Sequence, residues 1–228
     1  VILNETVMGV ALPRLMEDLG ITASAGQWLT SAFLLTMAVV IPVTGFLMQR
    51  LNTRAVFLLA MTCFSAGTLI AALSPGFAML LAGRVVQAVG TAIMMPLLMT
   101  TVMTLVPPES RGKTMGNISI VISVAPALGP TISGVILNTL DWRWLFWLVL
   151  PIALAALTLG WAMMRNVTET RNAPLDILSV ILSALGFGGL VYGLSALGEG
   201  GHGEPVLPLW VAPTVGAVAL ILFIARQL

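Results

Sequence analysis

The sequence predicts an all-α membrane protein, and three observations carry that prediction. Apolar runs long enough to cross a hydrocarbon core of about 30 Å recur along the 228 residues, separated by short polar or Pro/Gly-containing breaks. Charged residues make up 8% of the chain and hydrophobic ones 58%, whereas a soluble domain carries about a quarter charged residues. The ten Lys and Arg residues are grouped by loop rather than scattered.

About eight spanning segments can be placed in order from the need for roughly twenty apolar residues per crossing. The first runs from Val1 to about Pro13, and its beginning is expected upstream, because the sequence opens without a methionine inside an apolar stretch. The second covers Trp28 to about Met48, the third Ala55 to Leu73 and the fourth Phe77 to Val106. Met115 to Leu137 and Trp144 to Met164 complete a first group of six. Two more run from Ile177 to Leu197 and from Leu207 to Ala225, after which the chain reads as cut.

Alternate loops differ in charge. Arg50, Arg54, Arg111, Lys113, Arg165, Arg171 and Arg226 fall on one side, and only Arg14 and Arg143 on the other. Short cytoplasmic loops retain Lys and Arg, so the first set and the N-terminus are expected inside. The break from Arg165 to Pro174 is the longest cytoplasmic one and divides the chain into a six-helix bundle over 1–164, a linker over 165–175 and two further helices over 176–228. Gly198 to Pro205 reads as an exposed external turn, with His202 solvated in it. No repeat between the first three helices and the next three is evident.

Several function classes drop out. A net charge of +1 gives no basic excess for nucleic acid. Cys63 is alone in an apolar stretch, which leaves no disulfide pair and no metal cluster, and no cofactor is expected.

Polar groups inside the apolar segments carry the functional signal. Glu5 lies about nine residues before Arg14, roughly 13 Å below the external boundary at 1.5 Å per residue. A charge at that depth costs at least about 2.5 to 3.5 kcal/mol on insertion scales, so Glu5 has to be protonated, paired or facing water. Desolvation favours its neutral form and an approaching cation its charged form, the behaviour of a proton carrier; a first helix that begins nearer the surface would instead make Glu5 an ordinary interfacial residue. Arg84 lies about seven residues into the fourth segment, at a matching depth of roughly 10 Å. With Gln87, Ala88 and Thr91 it forms a polar stripe that must point into the bundle, for transport or for fastening helices together.

In the fifth segment Ala125, Gly129 and Ser133 recur every fourth residue, a ridge of small side chains that admits another backbone. Pro126 and Pro130 flank it and predict a shaped, moving interface. Gly189 and Gly193 form a GxxxG in the seventh segment. Met94, Met95, Met99 and Met103 are soft side chains suited to an adaptable drug pocket, and are expected rather to face lipid or fill gaps. Trp28, Trp142, Trp144, Trp147 and Trp210 are expected in aromatic belts at the membrane boundaries.

Taken in order, these features resemble the major facilitator superfamily, in particular its fourteen-helix drug:proton antiporter branch, called EmrB/QacA-like, and a lincomycin-resistance-like subgroup of it. Leu3-Asn4-Glu5-Thr6-Val7 through Ala11-Leu12-Pro13 resembles the first-helix motif of that branch, and Gly45-Phe46-Leu47 with Arg50 and Arg54 its loop signature. Leu81 to Gly90, with Arg84 and Gln87, is similar to the fourth-helix motif. Gly129-Pro130 with Gly134 is similar to the antiporter motif of helix five, and Trp142-Arg143-Trp144, Phe146 and Pro151 resemble the family's next segment.

The resemblance covers essentially the whole chain. It implies a major facilitator N-terminal six-helix bundle plus two additional transmembrane helices, succeeded by a second bundle outside this sequence. Three departures stand out. The family's first-helix acid falls at Asn4, with the carboxylate one residue later at Glu5, about 100° around the helix, as in the lincomycin-resistance-like subgroup. Gln49 and Asn52 replace an Asp and a Gly of the loop signature, although Arg50 and Arg54 can still anchor on lipid phosphates or helix ends. Ala88 replaces a glycine after Gln87.

The function implied is proton-coupled export of amphipathic small molecules across a bacterial cell membrane, with Glu5 and Arg84 as the coupling pair and a monomer as the complete protein. Its partners are the substrates, protons and membrane lipids. A transporter or importer of one metabolite on the same scaffold is a rival reading. A membrane-embedded enzyme or a seven-helix sensor is a more distant one, since His202 is the only histidine and no carboxylate pair sits at catalytic spacing.

Overall fold

The structure, a computed structural model, describes residues 2–164, 166, 177–198 and 210–227. Among these residues every regular element is a helix: α1 (Ile2–Leu19), α2 (Ala23–Arg50), α3 (Thr53–Ala72), α4 (Phe77–Leu105), α5 (Pro108–Thr139), α6 (Arg143–Met163), α7 (Ile177–Gly198) and α8 (Val211–Gln227). Arg165, Arg171, Pro174 and His202 lie outside the described residues. The chain forms a multi-pass membrane protein. Within the described residues α2 to α6 are each long and apolar enough to cross a bilayer, and α7 and α8 contribute the apolar stretches Leu178–Gly193 and Val211–Arg226.

The observed bounds differ from the hydropathy reading mainly where helices continue into polar sequence. α1 runs through Pro13 to Leu19 and carries Glu5, Arg14, Glu17 and Asp18, so it is not one of the five clearly apolar spans. From Glu5 to Leu19 is about 21 Å along the axis rather than the 13 Å expected from a boundary at Arg14. Arg14 stays helical by pairing with Glu17 at 3.4 Å and Asp18 at 3.6 Å, one turn on. Gly20, at φ 62°, takes the left-handed conformation that lets the chain reverse into α2. Thr22 then caps α2, its Oγ1 accepting from the Ala25 amide at 3.3 Å. α5 starts at Pro108, not Met115, because a proline in the first turn leaves no amide to satisfy and Glu109 favours the positive end of the helix.

Two ends of the bundle can be recognised from contacts. At one, Arg54 at the start of α3 donates through Nη2 to the Trp161 carbonyl of α6 at 2.6 Å. Near the same end Arg111 reaches back from α5 to the last carbonyls of α4, at Met103 (2.7 Å) and Val106 (3.0 Å). At the other end, Arg143 of α6 donates to the Ser74 carbonyl after α3 at 2.9 and 3.1 Å and pairs with Asp141 at 2.9 Å. Arg14, Asp18, Asn138 and Asp141 line a polar cleft at that second end. Arg54, Arg111 and Arg143 satisfy carbonyls that a helix end leaves without partners.

The core is built on α3 and α4. Their backbones touch at glycines: a Cβ added at Gly67 would stand 2.6 Å from the Gly83 carbonyl oxygen, and one at Gly90 would stand 2.6 Å from the Phe64 amide nitrogen. Apolar clusters close the two ends. Ala11 and Leu15 of α1 meet Leu29, Ala71, Leu80, Trp142 and Phe146 at one, and Val56, Ala60, Ile93 and Leu97 gather at the other. Trp142 is therefore 1% exposed and stacked edge-on against Phe146, which corrects the expectation that it belongs to an interfacial belt. Trp144, Trp147 and Trp210 are exposed, as are Met99 and Met103.

α5 is attached more lightly. Gly129 and Ser133 are its buried residues, while Ile120, Val121 and Val135 are more than 60% exposed. α7 and α8 form a hairpin in which Gly189 meets Ala212 and Gly216, and Gly193 meets the ring of Pro213. The GxxxG of α7 thus lies against α8. The hairpin rests on α2, where Gly188 faces Val39 and Leu35 and Tyr192 lies 6.1 Å from Trp28.

Candidate functional site

Gln87 is the hub of a buried polar cluster that joins three helices. One turn before it on the same face of α4, Arg84 donates from Nη1 to the Gln87 Oε1 at 2.7 Å. Asn4 of α1 donates from Nδ2 to the same oxygen at 2.8 Å. Because a guanidinium only donates, that atom of Gln87 has to be the amide oxygen, and the Asn4 amide nitrogen has to face it. Its Nε2 donates to Thr68 Oγ1 on α3 at 2.8 Å, and the Thr68 hydroxyl donates in turn to the Phe64 carbonyl at 2.7 Å. Thr91 bonds back to the Gln87 carbonyl at 3.0 Å.

The guanidinium is 1% exposed and lies over the ring of Phe33 from α2, 4.1 Å from its centroid. Such a contact stabilises a desolvated cation by about 2 kcal/mol. Arg84 Nε is buried and has no hydrogen-bond partner among the described residues. The close approach of α3 and α4 at Gly67, Gly83 and Gly90 brings Thr68 within reach of Gln87, so the glycines and the cluster belong to one construction.

Arg84 and Glu5 do not form an ion pair in this structure. The ion pairs among the described residues are Arg14 with Glu17, Arg14 with Asp18, and Arg143 with Asp141. Glu5 is half-buried, one residue along α1 from the Asn4 that reaches Gln87. The reason lies in the helix period. Asn4 points at Gln87, and the next side chain leaves α1 about 100° away.

The remaining predicted residues fall into two groups. Thr6 of α1 lies against Gly129 of α5, where an added Cβ would stand 3.0 Å from the Thr6 Cβ. Ser133 Oγ turns back to the Gly129 carbonyl at 2.7 Å, which keeps the approach narrow. Gly90 supports the hub from below through its contact with α3. Apart from the cluster stand Pro13 and Pro130, both exposed within continuous helices, and Gly45 and Gly134, which have open space where a Cβ would go. Arg50 lies over the Phe46 ring at 5.5 Å, and Arg54 caps α6.

Sequence reasoning missed Thr68, Phe33, Gly67 and Gly83. A signal existed for the last two: Ala60, Gly67 and Ala71 on α3, and Gly83 and Gly90 on α4, are small residues at helical spacing. Nothing comparable marks Phe33 among its apolar neighbours. No group of three or more metal-binding side chains occurs among the described residues. The arrangement instead holds one cation inside an apolar bundle by neutral hydrogen bonds and an aromatic face.

Comparison with known proteins places this geometry in a family. The family model described as Major Facilitator Superfamily matches residues 1–227. The chain is 47% identical over 225 residues to the lincomycin resistance protein LmrB of Bacillus subtilis (strain 168), an alignment that covers 99% of this chain and 47% of that protein. It is 46% identical over 227 residues to the uncharacterized MFS-type transporter YcnB of the same organism, covering 100% of this chain and 48% of the relative. The putative multidrug resistance protein MdtD of Escherichia coli O139:H28 is 32% identical over 225 residues, covering 97% and 46%. The chain spans about half the length of these curated relatives.

Proposed function

This chain belongs to the major facilitator superfamily, and on that premise we propose that the complete protein exports amphipathic organic molecules, drugs among them, in exchange for protons. It works by alternating access: a bundle formed by residues 1–164 rocks against a second bundle contributed by the rest of the protein. Residues 165–175 form the cytoplasmic linker and 176–228 the two additional helices. The protein lies in the cell membrane with its N-terminus and the Arg50, Arg54 and Arg111 end in the cytoplasm, and it works as a monomer. Its partners are its substrates, protons and the surrounding lipids.

The observation that carries this reading is the buried Arg84, held inside α4 without an ion pair among the described residues and joined through Gln87 to Asn4, the neighbour of Glu5 on α1. A cation in such a place stabilises a nearby carboxylate when the two approach and releases it to take a proton when they separate. Movement of α1 against α4 therefore becomes proton affinity. Gly129, Pro130 and Gly134 belong to the part of α5 that accompanies α1, and the exposed apolar face of α5 supports contact with a second bundle. The names of the relatives, lincomycin resistance and multidrug resistance, support drugs as the substrate class.

Expression of the full-length protein in a drug-sensitive bacterium tests the reading. Growth protection against lincomycin and unrelated amphipathic drugs is expected, and a protonophore abolishes it. Glu5→Gln is expected to remove proton-dependent efflux while leaving the protein in the membrane. Undiminished proton-dependent efflux in that variant would remove Glu5 from the mechanism.

A further inference from the structure

We propose that Gln87 is the positioning residue of the coupling site: a neutral amide clasp aims the Arg84 guanidinium and fastens α1 to α4, leaving guanidinium hydrogens, that of the buried Nε among them, for Glu5. The inference rests on the coupling reading above and adds how the cation is aimed.

Gln87 takes one hydrogen from Arg84 and one from Asn4 on the same oxygen and gives one to Thr68. Among the side chains in this chain of bonds only Arg84 is charged. Amides do not titrate, so the clasp has the same strength whether or not Glu5 carries a proton. A coupling cation gripped directly by the coupling acid would swing with each protonation; one gripped by Gln87 stays aimed. Phe33 fixes the plane of the guanidinium as Gln87 fixes its distance. Gln87 takes one of the five guanidinium hydrogens, and the hydrogen on Nε is buried with no hydrogen-bond partner among the described residues.

Glu5 is the acid available to that donor. Among the helices around α1, α2 carries a charge only at Arg50 in its last turn, α6 only at Arg143 in its first, and α5 at Glu109, Arg111 and Lys113 near its start. α3 offers Arg54 at its start and the free thiol of Cys63. Arg84 is the charged residue of α4, and the other charges of α1, Arg14, Glu17 and Asp18, pair with one another toward its far end.

The test compares Gln87→Leu and Gln87→Glu in the full-length protein by two readouts. One is drug efflux as a function of pH. The other needs no transport: carbodiimide labelling of Glu5 across a pH series in detergent-solubilised protein, since the reagent attacks the protonated carboxyl. Leucine releases Arg84 to pair with Glu5, so both curves are expected to move to lower pH, by about one unit or more for a cation closing to 4–6 Å. Glutamate, while ionised, supplies Arg84 with a counterion, so both curves move to higher pH. If Gln87→Leu does not insert, Gln87→Glu, which keeps both acceptor contacts, decides alone.

A purely structural role for Gln87 lowers the yield of folded protein and moves neither labelling curve; that result overturns the inference. The two readings fail separately. Should Glu5→Gln leave efflux proton-dependent while the Gln87 variants shift the labelling of Glu5, coupling through Glu5 is wrong and the clasp stands.

Discussion

Replacing Gly67 by alanine adds one carbon where the backbones of α3 and α4 meet. That Cβ would meet three backbone atoms of α4: the Gln87 amide nitrogen, the Gly83 carbonyl oxygen at 2.6 Å and the Gln87 Cα at 2.8 Å. No flexible side chain is there to yield. Since ordinary contact begins near 3.4 Å, α3 and α4 have to separate by at least about 0.8 Å, and strain of this kind in a packed core costs about 1–3 kcal/mol. The same displacement stretches the 2.8 Å bond from Gln87 to Thr68 beyond the useful limit of about 3.2 Å. A hydrogen bond between membrane helices adds about 0.6 kcal/mol on average. The expected loss is therefore about 2–4 kcal/mol. Gly9, which has nothing within 4 Å, is the control: alanine there is neutral or stabilises by up to about 1 kcal/mol through helix propensity. Thermal unfolding in detergent, monitored with a thiol-reactive fluorophore that reports Cys63 as α3 opens, measures both. Gly67→Ala melting together with the parent protein would refute the claim that backbone contact at this crossing sets the helix spacing.

Three further outcomes rest on single contacts. Arg54→Ala leaves the Trp161 carbonyl without its 2.6 Å donor and is expected to destabilise by about 1.5 kcal/mol, the low end for a charge-assisted bond that water partly replaces; chemical unfolding in detergent reads it. Gly129→Val drives a side chain into Thr6 and is expected to separate α5 from α1, seen as a longer distance between spin labels on the two helices, while Gly134→Ala, with open space around it, leaves that distance unchanged. Gly188→Leu overfills the contact with Val39 and Leu35, so cross-linking between cysteines introduced at Trp28 and Tyr192 is expected to fall several-fold.

The helices were legible in the sequence because lipid demands long apolar runs, and hydropathy reports those runs directly. Their ends were less so, since a helix continues wherever its polar residues satisfy one another. The Arg14, Glu17 and Asp18 set extends α1 past Pro13, and Pro107-Pro108 starts α5 two turns before the apolar run. Burial of the Arg84, Gln87, Ala88 and Thr91 stripe was readable from helical spacing, and the structure buries all four. The partner of Arg84 was not. Depth along two helices brought Glu5 and Arg84 to one level, but the rotation of α1 decides which neighbour faces inward, and Asn4 takes that place. Trp142 shows the same limit: a tryptophan at a helix start reads as a belt residue until a cluster of apolar side chains from four other helices closes over it.

Arg84 would be expensive in hydrocarbon if left bare, by at least about 2.5 to 3.5 kcal/mol. A carboxylate placed at position 4 would meet this need directly, with an ion pair made or broken by a proton. This chain has Asn4 there and its carboxylate one residue on. That divides two tasks which a single acid would otherwise combine. Asn4 and Gln87 hold α1 to α4 at every pH, and Phe33 covers the cation, so the bundle does not depend on ionisation for its integrity. Under the proposed coupling, protonation of Glu5 then alters only the electrostatic force on an already fixed guanidinium. A transporter that must take up and release a proton in every cycle gains from that separation, because the step that changes charge is no longer the step that holds the helices together.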